Sequence, residues 1–129
     1  MNKKKPVKAS EAINERAMTG LFSRAFSQPL KLLGQSEASL SSYAVFWCVA
    51  FNDKATQVEV ASLTGLSAKT VSRVISQLGE NRGGRGWITQ TFDETDRRVR
   101  RLSLSRKGKN VHARLMKDLN RFSSAQESA

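Results

Sequence analysis

The sequence has little of what reactive or crosslinked sites are made from. Its one cysteine, Cys48, excludes an internal disulfide and a cysteine-built metal cluster. Its one histidine, His112, has no carboxylate close in sequence to make a catalytic or metal-binding pair. No apolar run approaches the roughly 20 residues that span a bilayer. The longest, 43-YAVFWCVAF-51, reads as a buried helix, so no membrane partner is expected. The opening MNKKKPVKAS has the charge of a signal peptide but no apolar core after it. The glycines of 83-GGRG-86 lack the spacing and the following Lys-Ser/Thr of a phosphate-cradling loop. No nucleophile stands beside a base. These absences predict a non-enzymatic, soluble, cytoplasmic protein with no cofactor and no metal.

Acidic residues are scarce as well. Eleven Asp and Glu stand against 22 Lys and Arg in 129 residues, leaving a formal net charge of +11. Such an excess repels itself in a compact chain and favours a polyanionic partner. The length suits one domain with a single core. One stretch, 93-DETDRRVRRLSLSRKG-108, is more pointed. Arg97, Arg98, Arg100 and Arg101 are too many cations to bury unpaired, yet Val99, Leu102 and Leu104 give the segment the look of an ordered element.

Residues 1–9 form a basic, Pro-containing tail, expected to be disordered until an anion orders it. From 10 to 129 the pattern predicts one domain. Ser10 is placed to cap a helix on which Ile13, Ala17 and Leu21 recur every four residues. Met18, Phe22 and Phe26 form an adjoining row. Pro29 is expected to break or re-aim that helix, with 30-LKLLG-34 a short second piece and 34-GQSEAS-39 a polar connection. Ser41 would cap the next helix, apolar on nearly every side to Phe51 and so central.

Thr56 and Glu59 have the T-x-x-E spacing of a capping box for a short helix over 57–63. Gly65 permits a sharp turn, and Ser67 would cap a second helix over 68–80. Val71, Val74, Ile75 and Leu78 give that helix one buried face. Its other face carries Lys69, Thr70, Ser72, Arg73, Ser76 and Gln77. Residues 56–80 thus read as a helix-turn-helix. After the basic connection 82-RGGRG-86, the stretches 87-WITQTF-92 and 99-VRRLSL-104 have strand composition around a polar turn. Leu102 and Leu104 alternate toward the core, whereas Arg98 and Arg100 cannot, so the hairpin over 87–104 projects. It is a wing. A last helix starts at Ser105 and runs to about Phe122, with Val111, Leu115, Leu119 and Phe122 in a narrow stripe suited to helix contact.

The segments 59-EVASLTGLSAKTVSRVISQL-78, 86-GWI-88 and 96-DRRVRRLSLSRKG-108 resemble the MarR family of winged-helix transcription regulators. The likeness is strong over about residues 56–110 and looser in the flanking helices. It implies a mainly α fold with a small β-hairpin, in the order helix, helix, short strand, helix-turn-helix, wing, final helices. It also implies a homodimer held by the first and last helices, here over 10–34 and 105–125. The dimer contacts would be Ile13, Ala17, Leu21, Val111, Leu115, Leu119 and Phe122.

Double-stranded DNA is the partner that the family implies. Ser67, Ala68, Lys69, Thr70, Ser72, Arg73 and Gln77 would face the major groove, with the second helix as recognition helix. Asp96 would orient the wing by pairing with a nearby arginine, and Arg98 would enter the minor groove, flanked by Arg97 and Arg100. Thr56 and Gln57 at a helix start, and Arg82 and Arg85 in the connection, are candidate phosphate contacts. Two departures are expected: the 79–86 connection is longer than usual, and no room is expected for the family's usual long final helix. A small-molecule effector is compatible with the resemblance, but no residue supports one. Other readings are a plasmid or phage replication or partition factor, and a winged-helix adaptor for protein or RNA.

Several residues read best as packing. Cys48 is a small hydrophobe in an apolar helix. Phe46, Trp47 and Phe51 read as core, and Trp87 as packing on the recognition helix instead of stacking on a base. Met18 and Met116 read as interface filler.

Overall fold

The computed structural model describes residues 15–33, 39–81 and 83–128, the last turns of the first and final helices as backbone only. The expectations for residues 1–9, Ser10, Ile13, Gly34 and Arg82, most of the 34–39 connection, and the Phe122 side chain lie outside the described part. The elements in order are α1 (Glu15–Leu33), α2 (Leu40–Phe51), β1 (Ala55–Thr56), α3 (Gln57–Thr64), α4 (Ala68–Leu78), β2 (Ile88–Phe92), β3 (Arg100–Leu104) and α5 (Arg106–Ser128).

The helix starts follow from short-range hydrogen bonding. Thr56 is extended, and its Oγ1 accepts from Glu59 N at 3.1 Å while Glu59 Oε1 accepts from Thr56 N at 2.8 Å. Two orphan donors of α3 are thereby satisfied. Ser67 Oγ accepts from Thr70 N at 3.1 Å and starts α4. Between them Gly65 ends α3 at φ +78°, a left-handed conformation that glycine adopts without strain. We expect Thr56→Ala to lower stability by about 1 kcal/mol, the usual worth of such a cap. Urea unfolding of the variant checks this, and an unchanged midpoint would show that α3 does not need its cap.

The core lies where these helices meet the sheet. Val45, Phe46 and Val49 of α2, Val60 of α3, and Val71, Val74, Ile75 and Leu78 of α4 are buried against Ile88, Leu102 and Leu104. The sheet order is β1-β3-β2, all antiparallel, with Ala55 opposite Leu102 and Gln90 opposite Leu102 from the other side. The hairpin therefore gains a third strand, the short one that the resemblance implied. Leu102, wholly buried in the central strand, ties the wing to the body.

Four expectations need correction. Ser39, not Ser41, caps α2: its Oγ accepts from Ser42 N at 3.1 Å, and Ser41 sits in the first turn. Several serines in 39-SLSS-42 offer the same chemistry, and only the extended backbone at Ser39 decides between them. Pro29 does not break α1, which runs through it. A proline removes one backbone hydrogen bond, and here Pro29 is buried on a helix whose Arg24 is ion-paired to Asp118 of α5, with Nε–Oδ2 2.9 Å. Phe51 is 89% exposed, because it lies about 200° around α2 from the buried Val49 and so faces away from the core. Finally, α5 continues past Phe122 to Ser128, and Val111 and Leu115 are buried in the protomer's own core.

The long 79–86 connection folds back on the end of α4. Arg85 N donates to Gln77 O at 2.9 Å, Trp87 N to Leu78 O at 2.7 Å and Gly86 N to Gly79 O at 2.7 Å. A helix leaves its last carbonyls without partners, and these residues supply some. Trp87 then packs edge-on against Phe46 of α2, ring centroids 5.6 Å apart. It is buried as expected, with an α2 side chain as its aromatic neighbour.

Candidate nucleic-acid interface

The outward face of α4 is made by the residues that its buried face leaves out. Ala68, Lys69, Ser72, Arg73 and Ser76 are exposed, whereas Thr70 and Gln77 are half-buried. Ser67 and Thr70 spend their hydroxyls on each other at 3.0 Å as part of the cap. Gln77 turns toward α2, its Oε1 3.5 Å from the Ser42 hydroxyl. Of the seven residues placed on the recognition helix, four therefore project freely, and Ser76 stands beside them.

The wing tip is held by two aspartates. Asp93 Oδ2 accepts from Thr95 N, Thr95 Oγ1 and Asp96 N at 3.1, 2.7 and 3.0 Å. Its Oδ1 accepts from Arg101 Nε at 2.7 Å. These contacts, Arg101 foremost, hold the Asp93 carboxyl far below the usual carboxylate range. Asp96 takes the Arg98 guanidinium in a fork, Nε–Oδ1 3.1 Å and Nη2–Oδ2 3.2 Å, and also accepts from Arg98 N at 3.0 Å. Arg98, first by its side chain and then by its amide, lowers the Asp96 pKa too. The arginine paired with Asp96 is thus Arg98 itself, whose side chain stays 90% exposed. Arg97 is exposed, and Arg100 lies over the Phe92 ring at 5.6 Å.

Arg101 was not among the residues singled out for a role. Besides Asp93 it reaches the Lys54 carbonyl, Nη1–O 2.9 Å, and lies 3.9 Å from Glu59 Oε1, the oxygen that caps α3. Lys54 itself has φ +69°. One guanidinium thus ties the wing turn to the start of the helix-turn-helix. Thr56, Gln57, Arg98 and Arg100 come together around a cleft of about 390 Å³, with Val58 and Val99. Arg85 is not among its lining residues.

The helices given to dimerisation are only partly available. Ala17, Leu21 and Leu119 are half-buried, and Val111 and Leu115 face inward. The exposed apolar row on α1 is instead Met18, Phe22 and Phe26, at 40%, 58% and 48% exposure. Cys48 is half-buried, and burial pushes its thiol pKa up against a weaker opposing contact from Asn52. His112 stacks edge-on with Trp47 at 5.7 Å. No helix among the described residues is long and apolar enough to cross a membrane.

This architecture is the winged-helix fold of MarR-type transcription regulators. Over 88% of this chain and 78% of the other, it superposes on a transcriptional regulator from Thermotoga maritima with a TM-score of 0.67 and 22% identity. The match to MarR has a TM-score of 0.57 and 22% identity over 84% and 80% of the two chains. Streptococcus pneumoniae FabT, solved in complex with DNA, matches with a TM-score of 0.58 and 21% identity over 86% and 76%. No protein-family model matches the chain, and no curated protein matches it in sequence.

Proposed function

We propose that this protein is a sequence-specific, double-stranded-DNA-binding transcription regulator, not an enzyme, acting as a homodimer on an inverted repeat and repressing by occluding a promoter. The observation that carries the reading is the pairing of two cationic elements. An α4 face offers Lys69, Ser72, Arg73 and Ser76 to solvent, and a projecting wing leaves Arg98 90% exposed. The DNA complex of FabT, on the same fold, supports it. Arg73 or Lys69 suits a guanine edge in the major groove, and Arg98 suits a narrow minor groove. To reach it, Arg98 exchanges the Asp96 carboxylate for phosphate or base oxygens.

The proposed dimer uses the exposed α1 row of Met18, Phe22 and Phe26 in addition to Ala17, Leu21 and Leu119. A twofold pair of α4 helices would meet half-sites about 34–36 Å apart. Selection of bound duplexes from a random pool should return an inverted repeat. Arg73→Ala should then relax the preference at one base position, at a cost of roughly 1–3 kcal/mol. Arg98→Ala should weaken binding most at A·T-rich flanks. With about 6–10 phosphates neutralised, the log–log salt slope should lie near −5 to −9. Equal affinity for selected and random duplex at moderate salt would refute this reading.

A further inference from the structure

A second block of positive charge lies outside the helix-turn-helix and the wing. Residues 56–104 hold eight cations against five acids, a net +3, whereas residues 106–121 of α5 hold six cations against one acid, a net +5. That single acid, Asp118, is ion-paired to Arg24 of α1. At about 100° per residue, Arg106, Lys107, Arg114, Lys117 and Arg121 fall within one 100° sector of the helix. The sector lies on the side away from Val111 and Leu115, which are buried, and all five cations are exposed. Among the described residues none of the five has an ion pair.

Like charges three and four apart on a helix, as at Arg114, Lys117 and Arg121, destabilise it. Asp118, four residues from Arg114 and three from Arg121, offsets part of that cost but is shared with Arg24, so an external anion would relieve the rest. We propose that this face is a second duplex-binding surface, holding a DNA segment other than the one under α4 and the wing. The row extends about 22 Å along the helix at 1.5 Å per residue, long enough to meet several phosphates. Three of the five cations are arginines, whose planar fork matches phosphate oxygens. A lipid surface is a poorer fit, because an interfacial helix inserts an apolar face and that of α5 is locked in the core.

Position argues for a second segment. The helix leaves the sheet at Ser105, and β3 carries the chain about 17 Å from the tip end to that base. Beyond it α5 packs along α1. A straight duplex under the wing tip would not run along it. The inference rests on the regulator reading only for the identity of the first duplex.

The test is a capture assay. Protein bound to an immobilised duplex is offered a fluorescent duplex of random sequence. The wild-type chain should retain the second duplex and release it with rising salt. The variant R106Q/R114Q/K117Q/R121Q, with circular dichroism as a folding control, should bind the first duplex normally but lose capture by about tenfold or more, as the loss of phosphate contacts predicts. The half-variants R106Q/R114Q and K117Q/R121Q should each fall between, and they carry the test if the fourfold variant does not fold. A reading-lobe variant, R73A/R98A, should keep salt-dependent binding of random duplex through α5. Undiminished capture by the α5 variants, or complete loss of duplex binding by R73A/R98A, would overturn the second surface and leave the regulator reading intact. Competition by polyglutamate as strong as by duplex at equal charge would overturn it in favour of an acidic protein. If R73A/R98A binds selected duplex as the wild type does and the α5 variants do not, the regulator reading fails and this surface stands.

Discussion

Gly108→Ala should be among the most disruptive single-methyl additions to this protein, lowering stability by about 3 kcal/mol, at the upper end of overpacking costs. A Cβ at Gly108 would fall on the carbonyl oxygen of Trp87, with the Trp87 carbonyl carbon and Cα close behind. Backbone atoms cannot swing aside as a side-chain end can. They are also held: Ser105 N donates to that same Trp87 oxygen at 2.8 Å. Ser105 Oγ donates to Gly86 O at 2.5 Å and accepts from Gly108 N at 3.0 Å. The start of α5 and the base of the wing are therefore one hydrogen-bonded unit, and Trp87 passes any displacement to Phe46 in the core.

Gly65→Ala is the informative control. At φ +78° with open space around it, Gly65 charges an alanine only for its backbone conformation, roughly 1–2 kcal/mol. Thermal unfolding should rank the two variants, with Gly108→Ala melting about 10 °C below wild type, at some 3–4 °C per kcal/mol for a chain of this size. Tryptophan fluorescence, to which Trp47 and Trp87 both contribute, should shift only in the Gly108 variant. If both melted with the wild type, the close seating of α5 on the wing base would be wrong.

What was legible in the sequence was local. The capping box at Thr56 and Glu59 lies within one turn, and the buried face of α4 follows from Val71, Val74, Ile75 and Leu78 alone. The wing was legible because alternation puts Arg98 and Arg100 where no core could take them. Long-range pairing was not. Arg101 is one of four arginines within five positions, and nothing near it distinguishes it. Its partners Asp93 and Lys54 lie eight and 47 residues away. Periodicity also says that a face is covered without saying by what. Val111 and Leu115 keep helical spacing whether a second subunit or the protomer's own α2 and sheet lies against them, and the protomer's core takes both. For Phe51, an apolar helix suggested a central place, but Phe51 sits on the side of α2 opposite the buried Val49. On α5, cations every three or four residues resemble an ordinary solvated face. Their weight shows only against the more balanced charge of residues 56–104.

Arg101→Met should weaken duplex binding far more than it weakens the fold. A methionine keeps the stem's packing and removes the guanidinium that joins Asp93, the Lys54 carbonyl and the Glu59 side of the α3 cap. The pair is partly open, with Arg101 35% and Asp93 16% exposed, and pairs of that kind contribute little to global stability. The melting midpoint should therefore move little. Wing position is another matter: Leu102 still anchors β3, but the tip loses its tie to the helix-turn-helix. On the proposed reading, in which Arg98 enters a minor groove, affinity for a selected duplex should fall by about tenfold, about 1.4 kcal/mol.

The pH dependence separates this from a general loss of order. Asp93 is held far below its ordinary value by Arg101 first and by Thr95 and Asp96 after it. A depressed carboxylate contributes fully above its unfolded value, near 3.9, and loses that contribution as pH falls through the folded value. In the wild type the Asp93 carboxyl resonance should accordingly stay ionised at pH values where a free aspartate is half protonated. Arg101→Met removes the largest depressing contact, so its titration should move up toward the ordinary range. Asp96, held by Arg98, should titrate as before. A variant in which both aspartates shift together would mean that the wing has melted as a whole, and Arg101 would then be a fold residue and not the tie that sets the wing against α3.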